Sequence, residues 1–159
     1  MSAVLNSPSV ERVRDALSRA GMAPAIVELP GAARTARAAA EFLGCDVAQI
    51  ANSLVFRTQS HQAILVMSSG AKRVDLARLG TVAGEAVGKA DAEFVRGATG
   101  FAIGGVAPVA HGVSRVFVEQ ALAAHRELWA AAGHPHTVFR LTYADLLRIT
   151  GGNEARLAA

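Results

Sequence analysis

An α+β fold, a single domain with a mixed central β-sheet and helices packed on it, is what the 159-residue sequence predicts. Three observations carry that expectation. Apolar residues make up 52% of the chain, enough for one substantial core but, at this length, not for two independent domains. Segments with a helical repeat alternate irregularly with β-rich segments, unlike the regular alternation of an all-parallel sheet. Two β-rich runs, SLVFRT (53–58) and QAILVMS (62–68), are separated only by Gln59, Ser60 and His61, which predicts a hairpin at the centre of the sheet.

The elements follow in order. Ser7-Pro8 reads as a cap with proline at the first helical position, and Val10, Val13 and Leu17 recur at helical spacing until Gly21. AIVEL (25–29) is a short strand ending at Pro30, and Thr35 caps an alanine-rich helix that stops at Gly44. Asp46 caps a single turn, VAQIA, ahead of the hairpin. Beyond Gly70, Val74, Leu76 and Leu79 fall at mixed spacing and predict no definite element, whereas Asp91 caps a helix in DAEFVRGA. RVFVEQAL reads as a strand running into a turn or helix. HTVFRL is a strand, and YADLLRITGG a helix capped by Thr142 and stopped by Gly151. Leu128 and Trp129 are expected to pack the core. No repeat, low-complexity tract or linker interrupts this series, so residues 1–159 are read as one domain.

Composition narrows the functional classes. No apolar run approaches the roughly 18 residues of a membrane span, and Asn6, Pro8 and Glu11 break up the N-terminus before a signal-peptide core can form. The lone Cys45 can make no internal disulfide. A cytoplasmic protein without membrane association is expected. Sixteen Lys and Arg against 13 Asp and Glu give a net charge of +3, compatible with a polyanionic partner but too small for a protein that coats nucleic acid. One Trp, one Tyr and six Phe leave no broad aromatic platform for stacked bases.

The stretch TGFAIGGVAPVAHG (99–112) concentrates four glycines and a proline in an apolar run. It fits neither of two phosphate-binding patterns, because Gly100, Gly104 and Gly105 match the spacing of neither a P-loop nor a dinucleotide fingerprint. No G-x-S-x-G elbow is present, and Cys45 follows a helix end rather than a helix start, where a thiolate would be stabilised. The histidines at 61, 111, 125, 134 and 136 include no H-E-x-x-H motif or Cys partner, so no metal is expected. From the residues alone the reading is an α+β domain with a glycine-lined cleft.

Taken together, IANSLVF (50–56), AKRVDLARL (71–79), TGFAIGGVAP (99–108), HG (111–112), RVFVEQAL (115–122) and AAGHPHTVFRLTYADLLRITG (131–151) resemble the YbaK/ProX family. These are free-standing aminoacyl-tRNA deacylases related to the editing domain inserted in bacterial prolyl-tRNA synthetases. The resemblance covers nearly the whole chain, and its most specific element is a G-x-x-x-P loop, here Gly104 to Pro108. It implies a hydrolase that clears a wrong amino acid, usually Ala, Cys or Ser, from the 3′ end of proline tRNA. It also implies aminoacyl-tRNA as partner and association with a synthetase, while the lack of a ligand cluster or phosphate loop in the sequence predicts neither cofactor nor metal.

Gly104, Gly105, Pro108 and Asn52 are then the catalytic candidates. The N–H groups of residues 105 to 107 would bind the ester carbonyl or the developing oxyanion, and Pro108 would fix the end of the loop. Ser53, Lys72, Val106, Ala107, His111 and Glu119 are the candidate substrate contacts. Lys72 and Arg73 would meet acceptor phosphates, while His111 would approach the terminal ribose or a water. Arg34, Arg37 and Arg57 would belong to an RNA-facing surface. One departure stands out: the family usually has lysine where this chain has Asn52, followed by Ser53. Activity could then rest on the loop and the substrate's own 2′-hydroxyl, with Asn52 positioning; alternatively the chain is a binding module that has lost hydrolysis, or Asn52 merely caps the strand start. A small-molecule hydrolase unrelated to tRNA is the third class.

Overall fold

The computed structural model describes residues 3–159. Helix α1 (Pro8–Arg19) starts with proline in its first turn and buries Val10, Val13 and Leu17. Strand β1 (Ile26–Glu28) precedes helix α2 (Ala36–Leu43), which begins where Thr35 Oγ accepts the Ala38 N–H at 3.1 Å and ends at left-handed Gly44. A 3₁₀ turn, Val47–Gln49, is closed by reciprocal bonds between Asp46 and Gln49. The hairpin joins β2 (Ala51–Thr58) to β3 (Ala63–Ser69). His61 takes φ 64° in its loop and Thr58 N–H reaches the Gln62 carbonyl, so the three polar residues close the turn through one left-handed position.

Helix α3 (Leu76–Ala83), capped by Asp75, fills the stretch where spacing alone predicted no definite element. Strand β4 (Val87–Lys89), helix α4 (Ala92–Thr99), strand β5 (Val116–Glu119) and a 3₁₀ turn (Gln120–Ala124) come next. The chain then forms β6 (Leu128–Ala131), β7 (Thr137–Leu141), α5 (Tyr143–Thr150) and β8 (Asn153–Ala155). Among the described residues five helices, four of them with a side-chain cap, pack around one mixed and one antiparallel sheet, an α+β fold; Ser7 stands at the start of α1 without making a cap hydrogen bond. No described helix is long and apolar enough to cross a membrane.

The strands form two sheets where one was expected. The larger has the order β4-β2-β3-β5-β8, antiparallel from β4 to β3 and parallel from β3 to β8. The smaller is antiparallel, β1-β7-β6, and a single bridge between Ile50 and Trp129 ties the two together. Leu128 and Trp129 therefore belong to a strand: Leu128 is fully buried, and Trp129 only partly.

Strand β3 lies second from neither edge and is covered on both faces. Its odd residues, Leu65 and Met67, join a large core with Leu17, Phe101, Val106, Ala107 and Phe139. Its even residues, Ile64 and Val66, pack with Leu79, Phe117 and Leu157 beneath α3. A third cluster lies under α2, where Ala36, Ala39 and Ala40 meet Ile50 and Val138. Alanine at these α2 positions leaves room beside the smaller sheet, and that room becomes part of the site.

Candidate functional site

The glycine stretch leaves α4 through Gly100 and bends where Gly105 N–H donates to the Ala102 carbonyl at 2.9 Å, with Gly104 at φ 87° inside the turn. Only glycine holds that φ readily. At position 105 the reason for glycine is different: a methyl group there would lie 2.9–3.0 Å from the backbone N, Cα and C of His134. The neighbour that required side chains to be removed is thus the protein's own 133–135 segment.

Beside this loop lie two adjoining cavities. One is an open groove of about 550 Å³, walled by β2 on one side and by Lys72, Arg73, Val74, Leu76, Lys89 and Ile103 on the other. The second is a pit of about 40 Å³ under α2, lined by Ala36, Ala39, Ala131, Val138 and Trp129 among others. A space of this volume holds only a few water-sized moieties. Asn52, Ser53, Gly104 and Val106 line both, and so stand where groove and pit meet.

The polar groups at this junction are available. Asn52 sits in β2 opposite Ser68, and its amide has no hydrogen-bond partner among the described residues. That placement inside the strand, not at its start, removes the strand-capping role. Ser53 Oγ donates only to the Met67 thioether, at 3.4 Å, a weak acceptor that a ligand can replace. Val106 and Ala107 are buried, yet their N–H groups have no partner among the described residues. Of the three expected donors, Gly105 N–H is therefore committed to its turn; Val106 and Ala107 are uncommitted, but only Val106 lines groove and pit.

Charge is one-sided. Lys72, Arg73 and Lys89 are exposed on the groove wall, none of them in an ion pair among the described residues, and no Asp or Glu lines groove or pit. The exposed aliphatic side chains of Leu76 and Ile103 add an apolar flank. Lys89, Leu76, Ile103 and the alanines of the pit escaped the sequence reading, since nothing in their local pattern distinguishes them from ordinary surface or core residues.

Other candidates fall elsewhere. Glu119 is buried, and its carboxylate accepts the N–H groups of Ala121, Leu157 and Ala158 at 2.6–2.8 Å, which ties down the C-terminal segment. It lines neither groove nor pit, and its oxygens are already occupied. His111 also lines neither; its Nδ1 accepts the Val113 N–H at 2.9 Å, and burial holds its pKa below the ordinary value. Pro108 is buried behind the loop. Arg57 lies over the Phe94 ring and against His61, while Arg34 does reach the rim of the pit. Burial raises the Cys45 pKa, which leaves its thiol a poor nucleophile.

The sequence profile of the "Aminoacyl-tRNA editing domain" matches residues 31–149, a span containing every residue that lines groove and pit. The chain belongs to this editing-domain family. A solved structure proposed to be a trans-editing enzyme for prolyl tRNA synthetase is 41% identical, superposes with a TM-score of 0.88, and covers 96% of this chain and 98% of its own. A second, a scaffold protein used for grafting linear epitopes, is 38% identical with a TM-score of 0.87 at 96% and 98% coverage. The uncharacterized protein YwhH of Bacillus subtilis (strain 168) is 28% identical over 123 residues, 76% of this chain and 78% of that one. The editing domain here is thus of the YbaK/ProX type, built for aminoacyl-tRNA.

Proposed function

We propose that this editing domain is a trans-acting hydrolase that removes a small amino acid, Ala, Cys or Ser, from mischarged proline tRNA. The observation that carries the reading is the pit of about 40 Å³ opening at Asn52 and Val106 into a larger groove with three unpaired cations. A small side chain enters the pit. The terminal adenosine lies along the groove against Leu76 and Ile103, and Lys72, Arg73 and Lys89 meet phosphate oxygens. The bottleneck makes size the selector, because a synthetase cannot reject a smaller amino acid efficiently: one methylene is worth only about 1–3 kcal/mol of binding.

The chemistry is ester hydrolysis. Water adds to the aminoacyl carbonyl carbon, negative charge develops on its oxygen, and the N–H group of Val106 stabilises that oxyanion. The bond from carbonyl carbon to ribose oxygen then breaks, and the ribose oxygen takes up the proton that water releases, with the vicinal 2′-hydroxyl as relay. Asn52 positions the ester or the water through its free amide. The step transfers an acyl group to water and a proton to the ribose oxygen with no change of oxidation state, so it balances without a cofactor. In the same reading the protein works in the cytoplasm beside a synthetase.

The rival reading, a binding module without hydrolysis, rests on Asn52 standing in place of lysine. Single-turnover deacylation of alanyl-tRNA for proline separates the two. Wild type should hydrolyse it, Asn52→Ala should be slower by about tenfold or more, and Asn52→Lys should hold or gain activity. Binding of the mischarged tRNA with no hydrolysis above the spontaneous rate would establish the rival.

A further inference from the structure

A third cavity lies on the far side of the 102–105 turn, about 320 Å³ in volume, with Arg34, Arg96, His134 and His136 in its walls and no Asp or Glu. It shares Arg34 and Pro135 with the pit, so the two are neighbours across one wall. The arginines come from separate elements, Arg34 from the approach to α2 and Arg96 from the last turn of α4. Both are exposed, and neither has an ion-pair or hydrogen-bonding side-chain partner among the described residues.

A third guanidinium stands beside them. Arg12 lies over the Phe101 ring, 4.7 Å from its centroid, and donates to the Gly100 carbonyl at 3.0 Å. The missing side chain of Gly100 makes room for it, since a methyl group there would come 3.1 Å from Arg12 Nη1. The histidines are arranged as well. His136 N–H donates to His134 Nδ1 at 3.1 Å, so the ring proton of neutral His134 is on Nε2, a donor free for another acceptor. The two rings are 5.2 Å apart. Burial, then His136, lowers the His134 pKa, and only Glu28, acting through space, opposes this. Arg34 and Arg96 thus face the cavity with no carboxylate in its walls, and Arg12 stands against its Gly100–Phe101 wall, an unbalanced positive field that favours an anion.

We infer that this cavity is a second anion subsite, in which Arg34 and Arg96 grip one phosphodiester group of a single-stranded nucleic acid. Guanidinium forks match the two free oxygens of a phosphodiester, and the His134 Nε2–H supplies a further donor. The subsite sits across the turn from the cations of the groove, so a strand could be held on both sides of the loop that carries Val106. The inference rests on the proposed function for the identity of the strand, an acceptor end, but not for the phosphodiester chemistry.

The test is the affinity of a 5′-fluorescein-labelled RNA, ACCA, measured by anisotropy between 50 and 200 mM salt. Arg34→Gln/Arg96→Gln should bind about tenfold more weakly at the low salt. Its salt slope should be shallower by about 0.7, the contribution of one phosphate on a single strand. Arg19→Gln/Arg126→Gln, which removes two exposed arginines that line none of these cavities, should match wild type in both respects. An unchanged Arg34→Gln/Arg96→Gln variant, an equal loss in the control, or wild type that binds inorganic phosphate but not the RNA would each overturn the subsite. Deacylation of mischarged tRNA is read separately, so a protein that binds ACCA at this subsite yet hydrolyses nothing refutes the proposed function alone.

Discussion

Gly105 and His134 pack backbone against backbone, so closely that a methyl group on residue 105 would come within 2.9 Å of the His134 Cα. Gly104, one residue earlier, has room: its nearest neighbours to such a methyl are at 3.4–3.7 Å, and only its φ of 87° resists a side chain. The two glycines therefore serve different ends. Gly105→Ala forces the 133–135 segment away from the loop and should lose about 3 kcal/mol of stability, the upper part of the range for overpacking. Gly104→Ala carries only the left-handed penalty, about 1 kcal/mol. Urea denaturation of both variants checks the order, and a Gly105→Ala protein at least as stable as Gly104→Ala would contradict it.

Acidification should destabilise the fold through His111. Its half-buried imidazole is held below its ordinary value of 6.5 by desolvation, with the Pro108 backbone opposing the shift. The unfolded chain then takes up its proton near pH 6.5 and the folded protein only at lower pH, so stability falls as pH drops from about 7 through that window. Asn at this position retains an acceptor for the Val113 N–H but cannot titrate. Thermal melts between pH 7.5 and 5.5 should decline less for His111→Asn than for wild type; parallel declines would show that His111 contributes nothing.

The cations of the groove should act on binding more than on chemistry. Lys72→Ala, Arg73→Ala and Lys89→Ala combined remove every unpaired positive side chain from that wall. Weaker tRNA affinity and a flatter dependence on salt are expected, with the single-turnover rate at saturating tRNA changed severalfold at most. A loss of chemistry of a hundredfold or more at saturation, with unaltered affinity, would assign these residues to the reaction.

The sequence was most legible where local chemistry decides structure. Ser7-Pro8, Thr35, Asp91 and Thr142 marked helix starts, and Gly44 and Gly151 marked helix ends, because a cap is a short-range event written in adjacent residues. Helix α3 went unseen although Asp75 caps it, for only Leu79 and Ala83 are buried in a helix that covers one sheet face. Strands β4, β6 and β8 have three or four residues each, too few to show alternation, and long-range pairing alone makes them strands.

The site divides in the same way. The loop and Asn52 stood out by composition and resemblance, yet the reason for Gly105 lies in a segment 29 positions away, which no reading of the loop itself could reveal. Glu119 reads in the sequence as a candidate substrate contact, but two of its partners, the N–H groups of Leu157 and Ala158, come from the C-terminal end of the chain. The pit was the least legible feature, since it is made by alanines whose significance is the volume they leave.

That volume offers the most direct test of the account. One tRNA for proline, charged in turn with alanine, serine, valine and leucine, is incubated with excess protein and the first-order release of each amino acid is followed. Release should be fastest for alanine and serine and fall by about a hundredfold or more by leucine, as side chains outgrow the pit between Asn52, Val106 and the alanines of α2. Equal release of alanine and leucine would show that the pit does not receive the side chain, and the central claim would fail.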